Sequence, residues 1–98
     1  MDFKVIKETN DAFLSAKNDL RNVCINYLCE ALDKTPYFDL KDCTHPFKLC
    51  GASFFAMSIY VEDNDVIVGF CNTIKRPLTE LEADDLFFLC DYINDLIS

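Results

Sequence analysis

The sequence predicts a small α+β domain with a long N-terminal helix, an antiparallel sheet of two to three strands centred on a β-hairpin, and an acidic amphipathic helix at the C-terminus. Two observations lead to this fold class. Apolar residues recur at helical spacing near both ends of the chain, and two segments rich in β-branched and aromatic residues lie between them. We expect residues 1–98 to form a single domain, since chains of this length rarely divide.

The first helix is predicted over residues 10–33, where apolar side chains cover roughly 200° of the helical circumference. A helix that packs on one sheet needs only about 100°. The surplus indicates that this helix contacts two neighbours, for instance the sheet and a second helix or subunit. Residues 2–6 fit either an extension of the helix or a short strand. Thr35 and Pro36 end the helix, because proline disfavours helical geometry in the residue before it.

The sheet is centred on two predicted strands, residues 53–61 and 66–74, and residues 37–41 fit a short third strand. The polar residues 62–65 join the two main strands and predict a hairpin. Both faces of the first strand are substantially apolar, whereas a sheet with one wet face alternates more cleanly. We therefore expect both faces of the hairpin to be covered.

The last helix is predicted to begin near Thr79, which has the spacing of a capping box with Glu82, and to run to the C-terminus. Its predicted core stripe consists of Leu81, Leu86, Leu89, Cys90, Ile93, Leu96 and Ile97. Asp85 falls toward this core side, and we expect it at the wet end of the stripe.

Negative charge is concentrated in this last element. The formal net charge is −8, and six carboxylates but no lysine or arginine follow Arg76, whereas residues 1–76 carry eleven acids against nine bases. This distribution argues against direct binding to nucleic acid or to an anionic membrane, because both would be repelled. The first residues are too charged for a signal peptide, and no apolar run reaches the roughly 20 residues of a membrane span. We expect a cytoplasmic protein with free thiols.

One face of the predicted last helix carries four carboxylates, Glu80, Asp84, Asp91 and Asp95. Phe87 falls inside this acidic stripe and Phe88 falls at its edge. The stripe is either a solvated face with a stray aromatic residue or a docking surface, on which Phe87 anchors a protein partner and the acids select a basic one. A third interpretation buries Phe87 and Phe88 against a twin subunit. We assign these six residues to partner binding.

The segment at residues 42–50, DCTHPFKLC, holds the only histidine, His45, between Cys43 and Cys50. Zinc sites need three or four ligands, usually offered as close pairs, and this chain has no CxxC pair and no second histidine. A thiol nucleophile would need a neighbouring base, and no nucleophile elbow accompanies this one. We expect a proline-containing loop, with no metal, no cofactor and no catalytic residue.

Together these patterns predict a non-enzymatic protein-interaction module (a regulator, inhibitor or chaperone-like binder) that forms a homodimer and acts through apolar faces and the acidic C-terminal helix. The order of hairpin, proline-led loop and acidic helix resembles the end of small acidic secretion-chaperone-like folds, a likeness of topology without a shared motif. Two alternatives stay open. One is a metal- or thiol-dependent protein that uses the 42–50 segment. The other is a small-ligand-binding domain lined by Phe54, Tyr60 and Phe70.

Overall fold

The fold begins with a long helix, continues through short strands and ends with a second helix. The structure is a computed structural model that describes residues 2–49, 51–71 and 73–98. Its elements are α1 (Phe3–Lys34), β1 (Tyr37–Leu40), β2 (Phe47–Leu49), β3 (Ala52–Phe54), β4 (Met57–Glu62), β5 (Asp65–Phe70), β6 (Ile74–Pro77), a 3₁₀ turn (Leu78–Glu80) and α2 (Ala83–Ile97). The predicted small α+β fold is confirmed, with more strands than the two or three expected.

Helix α1 extends to Phe3, so residues 2–6 continue the helix and form no strand. Asp2 caps it, because its Oδ1 accepts a hydrogen bond from the backbone N–H of Lys4 at 3.2 Å. The buried residues of α1 all lie in its C-terminal half: Cys24, Leu28 and Leu32. Residues 2–16 are exposed throughout. The N-terminal half therefore projects along the 49 Å long axis of the molecule, which matches the roughly 48 Å length of a helix of this size.

The four-stranded sheet is antiparallel and has the order β1-β4-β5-β6. The predicted hairpin is confirmed as β4–β5, with Glu62 paired to Asp65 across a two-residue turn. Asp63 and Asn64 both have positive φ, 52° and 67°, as a type I′ turn requires. The segment at residues 37–41 contributes the edge strand β1.

The predicted bounds of the two main strands are wrong. Residues 53–61 are divided between β3 and β4, which belong to different sheets, because β3 pairs with β2 in a separate two-stranded sheet. The strand predicted over residues 66–74 ends at Phe70, and Cys71 takes a φ of 55° where the chain leaves β5. Asn72, within that predicted strand, lies outside the described residues. Neither of the two predicted strands contains a proline. A pattern of apolar residues does not show where the backbone bends, so each segment was predicted as one continuous strand.

The core lies between one face of the four-stranded sheet and the two helices, which pack against each other. Its largest fully buried side chains are Leu28, Leu32, Phe47, Ile59, Val68, Phe70, Leu78, Leu81, Leu86, Leu89 and Ile93. On the other face of the sheet, Tyr60 and Ile67 are half-buried and Tyr37 is more than half exposed. The expectation that both faces are covered is therefore wrong for this chain alone, since both helices lie on the same side.

Helix α2 begins at Ala83, later than predicted, and no side chain in the described part of the chain caps it. Arg21 of α1 explains the late start. Its guanidinium donates hydrogen bonds to the backbone carbonyls of Thr79, at 2.6 Å, and of Leu81. These carbonyls face α1, and the segment before Ala83 forms a 3₁₀ turn followed by two extended residues, Leu81 and Glu82. The predicted capping box between Thr79 and Glu82 is wrong.

The C-terminal end of α2 also departs from the predicted core stripe. Leu96 and Ile97 are more than half exposed, whereas Leu89 and Ile93 are fully buried. The last turn of α2 therefore extends beyond the part of the sheet that the helix covers. In the described parts of the chain, neither helix has a stretch that is both long and apolar enough to cross a membrane.

Candidate interaction surface

One face of α2 contacts the chain segment around His45, which leads into β2. The Nε2 atom of His45 lies 2.7 Å from Oδ1 of Asp85, and the backbone N–H of Lys48 donates to Oδ2 of the same carboxylate at 3.4 Å. The imidazole ring stacks on Phe88 with ring centroids 4.1 Å apart and an interplanar angle of 15°. An ionised carboxylate only accepts hydrogen bonds, so this contact needs a proton on Nε2. His45 therefore ties the β2 segment to α2.

Asp85 is only 4% exposed, and its predicted position at the wet end of the core stripe is wrong. A buried carboxylate needs partners, and His45 provides one from a distant part of the sequence. The hydroxyl of Tyr92 accepts a hydrogen bond from the backbone N–H of Thr44 at 2.6 Å. Asp85, Phe88 and Tyr92 recur at i, i+3 and i+7 on α2, a spacing that places them on one face. That spacing could have been recognised in the sequence as one face of α2, but it does not indicate that His45, forty residues earlier, contacts this face.

The described residues of the 42–50 segment have different surroundings. Cys43 is buried, and burial, with a smaller contribution from the charge of Asp42, raises the pKa of its thiol above the usual value. Cys50 lies outside the described residues. Among the residues that are described, no group of three or more His, Cys, Asp or Glu side chains is placed to hold a metal ion. Part of the predicted loop is the strand β2, whose Phe47 is fully buried.

The three aromatic residues proposed to line a ligand cavity do not all lie on one face of the sheet. Phe54 and Phe70 pack against each other, with ring centroids 4.8 Å apart. Tyr60 points to the other face of the sheet, where its ring lies 6.1 Å from that of Tyr37. The register of β4 against β5 explains this separation, because Tyr60 pairs with Ile67 while the buried Ile59 pairs with Val68.

A groove runs between α1 and α2 on the surface away from the sheet. It has a volume of about 340 Å³ and is lined by Leu20, Val23, Cys24, Tyr27, Phe87, Cys90, Asp91 and Asn94. We call it the α1–α2 groove. Two contacts join its walls: the Tyr27 hydroxyl lies 3.3 Å from Oδ1 of Asn94, and Sγ of Cys90 donates to the backbone carbonyl of Cys24 at 3.5 Å. Burial, and then the neighbouring thiol of Cys24, raise the pKa of Cys90 to about 12.

The residues predicted for partner binding divide between this groove and other positions. Phe87 is 50% exposed in the groove, and Asp91 lies beside it. Asp84 and Asp95 are exposed on α2. Glu80 belongs to the 3₁₀ turn and not to α2, and its carboxylate lies 3.5 Å from Nε of Arg76. The four-carboxylate stripe predicted on one helix is therefore wrong, and α2 itself contributes three of the four.

The apolar surface continues from the groove onto the projecting half of α1. A depression of about 300 Å³ includes Phe13, Ala16 and Leu20 and reaches Ala83 and Asp84 of α2. A further one of about 540 Å³ is lined by Val5, Ile6, Thr9, Asn10 and Phe13. The apolar surface therefore runs along most of the length of α1.

The α1–α2 groove and its continuation along α1 form an open, elongated apolar surface with carboxylates at its edge. Helix α1 contributes its aliphatic residues, and α2 contributes Phe87 and the acids. The ring of Phe88, in contrast, is partly covered by His45, which stacks on it. Comparison with known proteins found no matching family model, and no curated protein or solved structure was significantly similar to this chain.

Proposed function

We propose that this protein is a non-enzymatic protein-interaction module whose binding surface is the α1–α2 groove and the apolar face of α1 that continues from it. The observation that carries the proposal is the exposure of large apolar side chains side by side: Phe87 is 50%, Leu20 41% and Val23 65% exposed, and all three line the same groove. Contiguous apolar patches of this kind mark interaction sites, whereas single exposed apolar residues are common.

The carboxylates beside the groove give the surface its selectivity. Asp91 lines the groove, and Asp84 lies beside its extension onto α1. No lysine or arginine follows Arg76 in the sequence, so α2 itself carries no base, and Lys17 of α1 is the base that lines the same depression as Asp84. Rim charges mainly affect the rate and specificity of association and add less to affinity. The surface therefore favours a partner segment that is apolar in its centre and basic at its edge.

The test is recovery of bound proteins from the native cell with a tagged chain, quantified by mass spectrometry. Phe87→Asp places a charge in the groove and should lower recovery of specific partners at least tenfold, copies of the chain itself included. Phe55→Asp is the matched control, since Phe55 is similarly exposed, at 54%, and does not line the groove. The control should recover the same partners as the wild type. Equal recovery with all three proteins would contradict the proposal.

A further inference from the structure

The exposed face of α1 has a heptad pattern. Going from Ile6 to Tyr27, its residues follow one another at alternating intervals of three and four: Ile6, Thr9, Phe13, Ala16, Leu20, Val23 and Tyr27. We call this set the α1 seam. All of its members except Thr9 are apolar or aromatic. A repeat with an average spacing of 3.5 residues is the pattern by which two helices pack along their length.

The α1 seam is separate from the face that α1 buries in its own core. That buried face consists of Cys24, Leu28 and Leu32, which lie at intervals of four and belong to the C-terminal half. The seam lies about a quarter turn away around the helix axis. It includes Phe13, which is 61% exposed, and Ile6, which is 51% exposed. Tyr27, at the end of the seam, packs against the core, but the core of this chain does not account for the seam from Ile6 to Val23.

The exposed area is large enough for a stable interface between two copies. Taking ~200 Å² for a large apolar side chain that is fully exposed, the exposed fractions of Ile6, Phe13, Leu20, Val23 and Phe87 correspond to roughly 500 Å² per chain. Two copies would bury about 1,000 Å² from these side chains alone, which is the order of area expected of a specific interface. Polar neighbours along the seam would add to this area.

The distribution of charge along α1 favours one relative direction for the α1 helices of two copies. Residues 3–18 carry three bases and two acids, whereas residues 19–34 carry two bases and three acids. Helix α2, which lies beside the C-terminal half of α1, adds four aspartates and no base. A parallel pair would bring the acidic halves of both copies together. An antiparallel pair instead places the more basic half of each α1 against the acidic half of the other, and also opposes the two helix dipoles.

We propose that the partner is a second copy of this chain, with the two α1 helices paired antiparallel along the α1 seam so that the projecting half of each fills the α1–α2 groove of the other. In this register Phe13 of one copy lies beside Val23 and Phe87 of the other. The inference rests on the proposed function and names the partner for the same surface. It also accounts for the length of α1, whose first half projects beyond the core that its second half builds.

The first test is the mass of the chain in solution at micromolar concentration, by light scattering or sedimentation. The wild type should have twice the chain mass of 11.3 kDa. Phe13→Asp combined with Leu20→Asp should give a single-chain mass with an unchanged far-UV circular dichroism spectrum, because both positions are exposed. Leu14→Asp is the matched control, since Leu14 is 51% exposed on the same helix but lies off the seam. This variant should remain a dimer.

The second test fixes the orientation with a zero-length amine-to-carboxylate cross-linker on a mixture of isotopically light and heavy chains. Antiparallel pairing should give cross-links between light and heavy peptides that join Lys4 or Lys7 to Glu30 or Asp91. Within one α1, Lys4 and Glu30 lie about 39 Å apart, so such a link can only join two copies. Cross-links from the N-terminal lysines only to acids of the partner's N-terminal half would overturn the antiparallel arrangement.

The two proposals fail in different ways. A wild-type chain with single-chain mass that still recovers another protein through Phe87 would overturn the homodimer and leave the interaction module standing. A dimer that persists in the Phe13→Asp, Leu20→Asp variant would also overturn the inference, because the two copies would then meet elsewhere. Loss of the dimer in the Leu14→Asp control to the same extent as in the seam variant would overturn the assignment of the interface to the α1 seam.

Discussion

Replacing Asp85 with alanine should destabilise the fold more than any other single loss of an acid on α2. Its carboxylate is 4% exposed and has two hydrogen-bond donors, the ring of His45 at 2.7 Å and the backbone N–H of Lys48 at 3.4 Å. A hydrogen bond to a charged group contributes about 1.5–3 kcal/mol, the long contact contributes less, and a carboxylate in the first turn of a helix adds about 0.3–1 kcal/mol. We expect the free energy of unfolding to fall by about 3 kcal/mol.

The matched control is Asp84→Ala. Asp84 lies in the same first turn of α2 and has a similar relation to the helix dipole, but it is exposed and should cost less than about 1 kcal/mol. Urea titration followed by circular dichroism measures both changes. In thermal unfolding, the Asp85 variant should lose about 15 °C, since 1 kcal/mol corresponds to roughly 4–8 °C in a chain of this size. A second alanine at His45 should then cost less than His45→Ala alone, because the hydrogen bond has already been lost and only the ring contacts of His45 remain.

Equal losses for Asp84→Ala and Asp85→Ala would refute this reasoning. They would mean that the His45 contact contributes no net stability, as happens when the cost of removing a carboxylate from water cancels the hydrogen bond it gains. Additive losses in the double variant would lead to the same conclusion, since residues in contact are expected to couple by about 0.5–3 kcal/mol.

Three further predictions concern the core, the turn and a thiol. Leu28→Ala, at a position with no exposed area, should lower the free energy of unfolding by about 2–5 kcal/mol in a urea titration; a change below about 1 kcal/mol would contradict the described core. Asn64→Gly should raise the midpoint of thermal unfolding by a few degrees, because Asn64 has a φ of 67° that glycine adopts at no steric cost, and a lower midpoint would contradict the type I′ turn. In the folded chain the pKa of Cys90 is raised to about 12 from an ordinary 9.0, so the unfolded chain loses the thiol proton at a lower pH than the folded chain does. The contribution of the protonated Cys90 thiol to the free energy of unfolding is therefore complete below pH 9 and is lost as the pH rises toward 12. The stability of the wild type relative to Cys90→Ala should therefore decline over that range, and iodoacetamide at pH 8 should modify the exposed Cys29 well before Cys90; faster labelling of Cys90 would contradict its burial.

The features that local sequence pattern could predict were the long helix, the β4–β5 hairpin and the amphipathic character of α2. Each is encoded in neighbouring residues: the apolar arc of α1, the polar turn at Asp63 and Asn64, and the apolar repeat that includes Leu86, Leu89 and Ile93. The apolar arc also indicated that α1 has more than one neighbour. The structure separates the buried face of α1 from the exposed α1 seam, and a neighbour for the seam stays a prediction.

The features that could not be predicted depend on contacts between distant parts of the chain. Arg21 binds two backbone carbonyls near residue 80. Residues 78–82 taken alone do not indicate that α2 begins only after them. Asp85 is buried because His45 reaches it from a loop forty residues earlier. Nothing in the sequence indicated that His45 would stack on Phe88, which remains 38% exposed; its role in partner binding stays a prediction.

The two faces of α1 differ in the spacing of their apolar residues as well as in exposure. This difference in spacing limits which kind of element can cover the seam. The buried residues Cys24, Leu28 and Leu32 are spaced four apart over only two turns of the helix. So short a face can be covered by any element that packs against it. The seam keeps its heptad spacing from Ile6 to Tyr27, and a straight helix would rotate such a stripe by about 20° per heptad. Over three heptads the drift reaches about 60°, so a flat neighbour would lose contact with one end. A second helix that coils around α1 follows the drift along the whole seam, and the α1 of another copy carries the same spacing.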